Sequence, residues 1–271
     1  MPRKVVFIAD ADSWSGEGLL ARFSQGGTDL ILNSSRDDKE WEEALAACRA
    51  AGTEALITHV DLCSGSGISA MLDQAEKRIG PVDVMIHNCS AMSPASVEDC
   101  EETEFLHIMQ RNAKSAFFCT QAFGRRMADR GGGSIIFVSS IHGEKPNGSS
   151  FAYSASQGAV KMLAHEAALF LGRFGIRVNV IEMGPVEGTD ASFPSELSGL
   201  YDNYRYKVPS TKLGTAGDLA ELAFFLAGEE ASYVNGADIR LDGGFSLHYM
   251  DRRMNKPAGE RNDSHEPKLE R

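Results

Sequence analysis

The sequence is short of basic residues, has no long apolar run and has no metal-type cysteine spacing. Lys and Arg total 27 against 38 Asp and Glu, a formal charge of -11, which argues against a general role in binding nucleic acid or anionic membrane. No run approaches the ~20 apolar residues of a membrane helix, and Asp10 comes too early for a secretory signal. The five cysteines lack CxxC spacing and nearby paired histidines. Reduced thiols in a cytoplasmic protein without a metal site are therefore expected.

Short apolar runs alternate with amphipathic stretches along most of the chain. The runs predict strands at 5–9, 30–32, 55–60, 82–86, 134–138, 176–181 and 237–241. The intervening stretches predict helices at 18–23, 37–51, 68–79, 105–130, 153–174 and 219–226. Continuously apolar strands separated by helices predict an α/β fold in which a doubly wound, parallel, seven-stranded sheet is covered on both faces, giving three layers.

The chain divides into one large domain and a short tail. Residues 1–250 carry the alternating pattern, without an internal linker or repeat. Within them, residues 184–212 have no clear period and hold several aromatic residues, which predicts a lid-like loop. Residues 251–271 are polar and offer few apolar groups to bury, so we expect them to be solvated or to fold only against a partner.

Polar residues cluster where the predicted strands end, which is where open α/β sheets bind ligands. Gly16 and Gly18 follow the first strand, and Asn112 lies in the long helical stretch. Ser140 and Tyr153 are thirteen residues apart. Together with Asp61, Asn88 and a late Asp-Gly-Gly at 242–244, this order resembles the short-chain dehydrogenase/reductase family over about residues 4 to 248.

The resemblance implies a Rossmann-like fold, an NAD(P) cofactor and hydroxyl–carbonyl oxidoreduction. It implies Tyr153 as the acid/base, Ser140 as the group that polarises the substrate oxygen, and Asn112 as the holder of a relay water. It further implies a set of cofactor contacts: Gly16 and Gly18 in the phosphate loop, Asp61 at the adenine, Asn88 beside the ribose, and Arg36 at a 2′-phosphate. Ser140 also has an alternative role, as a cap of the turn after its strand, and Arg36 as an ordinary exposed residue.

Two departures from the family pattern bear directly on chemistry. Gln157 stands one helical turn after Tyr153, where the family has a lysine whose charge brings the phenol pKa towards neutrality. Asp12 stands where the family has the first glycine of the phosphate loop, with Asp10 and Glu17 nearby. Their carboxylates would repel a diphosphate or serve as caps of the following helix. Lys161 is a further turn from Tyr153 and is not expected to replace the missing lysine.

Two more family motifs have changed, one after each of two strands. The segment 87–90 reads His-Asn-Cys-Ser where the family has Asn-Asn-Ala-Gly, and 183–185 reads Met-Gly-Pro. We expect His87 to be a packed, hydrogen-bonded residue. NAD(P) binding by this chain is accordingly predicted to be weak or absent.

These patterns leave three interpretations of the function. The first is a non-catalytic, structural subunit paired with an active family member, as in heteromeric hydroxyacyl-CoA dehydrogenases, including those of benzylsuccinate β-oxidation. The second is an active NAD(P)(H)-dependent oxidoreductase, a homo-oligomer, with an atypical site. The third is a protein that binds NAD(P) without chemistry. The family's usual interfaces would lie on the long helices and the C-terminal strand region.

Overall fold

In the computed structural model, which describes residues 3–187 and 208–247, seven parallel strands form one sheet in the order β3-β2-β1-β4-β5-β6-β7. The strands are β1 Lys4–Ile8, β2 Thr28–Asn33, β3 Ala55–Thr58, β4 Val84–His87, β5 Gly133–Ser140, β6 Ile176–Met183 and β7 Asp238–Leu241. The helices are α1 Trp14–Ser24, α2 Glu42–Ala50, α3 Gly65–Arg78, α4 Glu102–Met109, α5 Ser115–Arg130, α6 Phe151–Leu171 and α7 Ala216–Ala227. The predicted Rossmann-like, doubly wound α/β fold is confirmed.

The predicted elements are all present, with two differences inside helices. The stretch predicted as one helix over 105–130 is α4 and α5 joined by a π-helical turn, Gln110–Lys114. The stretch 37–51 begins with a 3₁₀ turn, Asp38–Trp41, before α2. Most of the predicted lid-like loop, 188–207, and the whole polar tail lie outside the described residues.

Alternate side chains of each central strand are buried on opposite faces of the sheet, which creates two apolar layers. On one face, Phe7 and Met85 pack with α3, α5 and α6, and the rings of Phe7 and Phe123 lie 4.6 Å apart. On the other face, Ile8 and Ile86 pack with α1, α2 and α7. Because both faces are covered, polar residues gather at the carboxyl edge, where the candidate site lies.

Within the described ranges, none of the helices combines the length and apolar character that crossing a membrane requires.

Candidate functional site

A cavity of about 330 Å³ opens at the carboxyl edge of β1, β2, β3 and β4. Acidic side chains from two loops, Asp10, Asp12 and Asp61, line it together with His59 and Arg111. Asp61, the predicted adenine contact, therefore lies at this cavity, where its carboxylate accepts a hydrogen bond from the Cys63 amide at 2.9 Å.

The loop between β1 and α1 is closed by its own hydrogen bonds. Ser13 is the N-cap of α1, and its hydroxyl accepts a bond from the Gly16 amide at 3.1 Å and donates to the Asp10 carbonyl at 2.9 Å. The Asp12 amide donates to the Asp10 carboxylate at 3.2 Å. The expectation that the carboxylates cap this helix is wrong, since a serine hydroxyl competes well for that position. Glu17 lies exposed in the first turn.

The two retained glycines have packing reasons to be glycine. A Cβ at Gly16 would overlap the carbonyl of Asp10 and lie within 2.7 Å of the Ala11 backbone. A Cβ at Gly18 would come within 2.6 Å of the Ala216 Cβ, at the crossing of α1 and α7. Their retention therefore follows from close backbone approach and helix packing, whether or not a phosphate binds here.

Asn88, predicted beside a ribose, holds the same loop from β4. Its side-chain oxygen accepts a bond from the Asp10 amide at 2.9 Å, and its amide donates to the Asp10 carbonyl at 2.7 Å. The amide also reaches the hydroxyls of Ser13 and Ser15 at 3.1 and 3.0 Å. The side chain is fully buried, and its hydrogen-bonding capacity is used within the chain.

The Asp12 carboxylate reaches across to the end of β2 rather than into the helix terminus. It accepts bonds from the Ser34 hydroxyl at 2.6 Å and from the Ser35 amide and hydroxyl at 2.6 and 2.7 Å. The Arg36 Nε lies 3.6 Å from it, and an Arg36 Nη donates to the Asp12 carbonyl at 3.0 Å. Hydrogen bonds from these serines lower the pKa of Asp12 despite its burial. Arg36 is therefore bound to an internal carboxylate.

Asp10 adds a second half-buried carboxyl to the cavity. Burial raises its pKa and the neighbouring Asp12 raises it further, while Arg111 opposes both effects. Arg111 comes from the π-helical turn before α5. The phosphate loop of this chain is thus acidic, and the charge of Arg111 already offsets part of that acidity.

Tyr153 lies at the start of α6 with its hydroxyl against serines from two strand ends. The Ser90 Oγ is 3.1 Å from the phenol oxygen, and Ser140 also hydrogen-bonds to it. Burial raises the pKa of Tyr153 more than these bonds lower it. The described residues contribute no cation to this balance. The Ser140 hydroxyl additionally accepts from the His142 amide at 3.2 Å, so both roles predicted for Ser140 are geometrically open.

Gln157 occupies the predicted position one turn after Tyr153 and is fully buried. Its side-chain oxygen accepts a bond from the Ser139 hydroxyl at 2.8 Å. Its Nε2 is buried without a hydrogen-bond partner among the described residues. A buried unpaired donor is costly, so this amide marks a place where a hydroxyl or carbonyl of a ligand would be stabilised.

Lys161 cannot supply the missing charge, because carboxylates hold it elsewhere. Its Nζ lies 2.8 Å from Glu182, 3.1 Å from Asp238 and 3.2 Å from Glu144. Burial lowers the pKa of Lys161, but the hydrogen bonds that its ammonium donates to these carboxylates outweigh that effect and raise the pKa. The expectation from helical spacing agrees with this geometry.

Asn112 is buried in the π-helical turn, where its side chain is fully engaged. Its amide donates to the Ala91 carbonyl at 2.8 Å and to the Ser156 hydroxyl at 2.9 Å, and its oxygen accepts from the Ala91 amide at 2.8 Å. The side chain therefore ties the loop after β4 to α6. The Asn112 backbone carbonyl also accepts a bond from the Ser115 hydroxyl at 3.3 Å, so the side chain is not free to hold the predicted relay water.

Two histidines complete the surroundings. His87 is buried against the Ser115 hydroxyl at 2.7 Å, and burial lowers its pKa to about 4, which agrees with a packed, neutral residue. His142 was missed by the sequence reasoning. Its ring meets the Tyr153 ring edge-on with centroids 6.0 Å apart, its Nδ1 is buried without a partner in the described part of the chain, and burial lowers its pKa. Its position two residues after Ser140 was the available signal.

Comparison with known proteins places these residues in a family. A family model described as enoyl-(acyl carrier protein) reductase matches residues 16–246. The chain belongs to the short-chain dehydrogenase/reductase family. It is 27% identical over 247 residues to glucose 1-dehydrogenase 2 of Bacillus subtilis, covering 90% of this chain and 95% of that protein. It is 28% identical over 250 residues to the NADP-dependent (R)-specific alcohol dehydrogenase of Lentilactobacillus kefiri, covering 90% and 96%.

Solved structures give the same result at the level of the fold. NAD+-bound xylitol dehydrogenase superposes with a TM-score of 0.80 at 25% identity, covering 89% of this chain and 98% of that one. The family resemblance drawn from the motif order is thereby confirmed.

The short-chain dehydrogenase/reductase family implies a nicotinamide dinucleotide, and the residues present fit only one end of it. The unpaired Gln157 Nε2 suits a ribose hydroxyl. At the loop where the diphosphate would lie, however, the Asp10 and Asp12 carboxylates line the cavity, and the Gly16 amide is already bonded to Ser13. Two like charges ~4 Å apart repel by about 4 kcal/mol at an effective dielectric constant near 20. These carboxylates are therefore electrostatically unfavourable neighbours for a diphosphate.

Among residues 3–187 and 208–247, no group of His, Cys, Asp and Glu side chains is arranged to hold a metal ion.

Proposed function

We propose that this chain is a non-catalytic short-chain dehydrogenase/reductase that serves as a structural subunit of a complex with an active family member. The observation that carries the proposal is the environment of Tyr153. Its pKa is raised by burial, the next turn of α6 holds neutral Gln157, and Lys161 is bound by carboxylates. A phenol held in its neutral form without a cation is a poor proton acceptor near neutral pH.

The acidic loop supports the same conclusion by a separate route. Since Asp10 and Asp12 oppose a diphosphate, binding of NAD(P) by this chain is weak or absent under this proposal. The relatives include dehydrogenases for a sugar and for an alcohol. The partner subunit would therefore carry the dinucleotide and perform the oxidation or reduction. A hydroxyacyl-CoA thioester as the partner's substrate remains a prediction from the family resemblance.

Exposed apolar side chains on the long helices support an association surface. Phe117 on α5 and Met162, Leu169 and Phe170 on α6 are each 44% exposed or more. The solvent-exposed parts of these side chains contribute little to folding of the single chain, but they stabilise a helix-to-helix interface when a partner covers them. This is the surface expected to contact the active subunit.

Co-expression with the product of a neighbouring dehydrogenase gene tests the proposal. We expect a stoichiometric complex whose NAD(P)-dependent turnover is unchanged by Tyr153→Phe in this chain and abolished when the corresponding tyrosine of the partner is replaced. Leu169→Asp should dissociate the complex, and Val97→Asp, at a side chain 71% exposed in the loop after β4, is the matched control. A stable homo-oligomer with turnover of its own would contradict the proposal.

One observation favours a second candidate function, an active oxidoreductase with an atypical site. The unpaired Gln157 Nε2 beside the Tyr153 turn is a donor that a cofactor ribose would satisfy. Under this alternative, the purified chain alone binds NAD(P) and its turnover is lost in Tyr153→Phe. The same two measurements on the isolated chain therefore separate the candidates.

A further inference from the structure

The end of β2 carries donors that converge on a single point. The Ser34 hydroxyl, the Ser35 amide and the Ser35 hydroxyl all lie 2.6 to 2.7 Å from the Asp12 carboxylate, and the Arg36 guanidinium lies beside it. Short bonds of this kind are typical of an ionised acceptor. A fixed set of hydroxyl, amide and guanidinium donors is also the set that binds a phosphate group.

Two of these donor residues, Ser34 and Arg36, have side-chain contacts other than Asp12. The Ser34 hydroxyl accepts bonds from the Trp41 indole nitrogen and from the Arg36 amide, each at 2.9 Å. Both lone pairs of that oxygen are thus engaged, so its proton is left to point at Asp12. The guanidinium of Arg36 lies 5.9 Å from the Trp41 ring. The Ser34 hydroxyl would therefore keep its position if the carboxylate were removed.

The serine donors of this set line the cavity at the sheet edge. Asp12, Ser34 and Ser35 line it together with Asp61, so a ligand that places a purine near Asp61 would bring a phosphate on its ribose towards these donors. Only 17% of the Asp12 side chain is exposed. The carboxylate therefore fills the position that such a phosphate would take, and its charge would repel the phosphate.

We propose that Asp12 is an internal anion that occupies a phosphate-binding pocket formed by Ser34, Ser35 and Arg36, and that this contact excludes nucleoside 2′-phosphates from the cavity. The proposal rests on the proposed function and deepens it, since it names the contact that closes the cavity to one class of ligand. It makes Asp12 a specificity-determining residue and predicts that its removal exposes a working phosphate site.

Calorimetric titration of the full chain with adenosine 2′-monophosphate tests this proposal. We expect Asp12→Ala and Asp12→Gly to bind at least ten times more tightly than the wild type, and Asp12→Ala/Arg36→Ala to lose that gain. The matched control is Asp29→Ala. The Asp29 side chain is 16% exposed and pairs with Arg3 at 3.2 Å, but it lies at the other end of β2. Asp29→Ala should therefore leave the affinity for adenosine 2′-monophosphate unchanged.

Titrations with inorganic phosphate and with adenosine distinguish the two halves of the ligand. Phosphate alone should bind the Asp12 variants and adenosine should show no gain. Equal affinity of wild type and variants for the 2′-monophosphate would overturn the proposal, as would variants that retain the wild-type circular dichroism spectrum and bind no phosphate. If Asp12→Ala and Asp12→Gly fail to fold, Asp12→Asn is the variant to use, because its amide oxygen still accepts hydrogen bonds from the serines. Asp12→Asn should show a smaller increase in affinity for adenosine 2′-monophosphate. No increase in that variant would also overturn the proposal.

The outcome is separable from that of the proposed function. Wild-type affinity for NAD(P)H decides whether this chain binds a dinucleotide, whereas the difference between wild type and the Asp12 variants decides whether Asp12 occupies a phosphate pocket. Dinucleotide binding by the wild type with no gain in the variants would refute both. If the variants bind phosphate no more tightly than the wild type, and the wild type binds no dinucleotide, only the proposal that Asp12 occupies a phosphate pocket is refuted.

Discussion

Replacing Lys161 by methionine separates two roles that this lysine could have. It could balance the carboxylates that surround it, or it could lower the pKa of the Tyr153 phenol. If it only balances carboxylates, the change removes the cation 2.8 Å from Glu182, a side chain that is 1% exposed. Removing one partner of a buried ion pair costs about 3–5 kcal/mol. Arg240 remains 3.5 Å from Glu182 and still balances part of its charge. We therefore expect a loss in the free energy of unfolding at the lower end of this range, about 3 kcal/mol. The midpoint of thermal unfolding should fall by about 9 °C for a domain of this size.

The pH dependence follows from the raised pKa of Lys161. A group whose pKa is higher in the folded state contributes stability that is complete below its unfolded pKa of about 10.4, and that is lost as the pH rises through the folded value. The difference between Lys161→Met and wild type should therefore stay constant from about pH 7 to 10 and shrink at higher pH.

Guanidinium unfolding followed by circular dichroism gives the free energy of unfolding, with Lys4→Met as the control. Lys4 pairs with Glu229 at 3.1 Å, and that carboxylate is 87% exposed, so its loss should cost at most about 1 kcal/mol. Spectrophotometric titration of Lys161→Met and of wild type, each corrected with its Tyr153→Phe counterpart as a blank, should show no difference in the pKa of Tyr153. A rise of that pKa in Lys161→Met, or a stability loss no larger than the control's, would refute the reasoning.

Two further variants test the site and its scaffold. Gln157→Lys places an ammonium one turn from Tyr153 and should lower the pKa of the Tyr153 phenol in the same spectrophotometric titration. It should not produce NAD(P)-dependent turnover, because the acidic loop remains. Turnover in this single variant would show that only the lysine was missing. Gly18→Ala would place a Cβ within 2.6 Å of the Ala216 Cβ and should lower the free energy of unfolding by about 1–3 kcal/mol in guanidinium unfolding. The control is Gly217→Ala, whose Cβ would meet nothing closer than 3.6 Å. It should leave the free energy of unfolding near the wild-type value.

The parallel sheet and its seven strands could be predicted because they depend on apolar patterning. Continuous runs such as 5–9 and 134–138 identify buried parallel strands, and the structure extends or trims them by one or two residues. The break inside the long helical stretch could not be predicted, since no residue type marks a π-helical turn. It is visible only where Asn112 turns inward to bond Ala91.

Positions of the candidate site residues followed from motif order, but their partners did not. Spacing along α6 correctly excluded Lys161 from the side of Tyr153, because one helical turn separates residues four apart. The sequence could not reveal that Asp12 reaches β2, because that contact joins loops 22 residues apart in the chain. It likewise could not reveal that Asn88 is used to hold the loop after β1.

The central claim is that acidic groups in the phosphate loop keep a dinucleotide from binding to this chain. Fluorescence titration of the purified full-length chain with NADH and with NADPH tests it most directly. We predict no saturable binding of either cofactor up to millimolar concentration. Saturable binding of one molecule per chain with a micromolar dissociation constant would contradict the account.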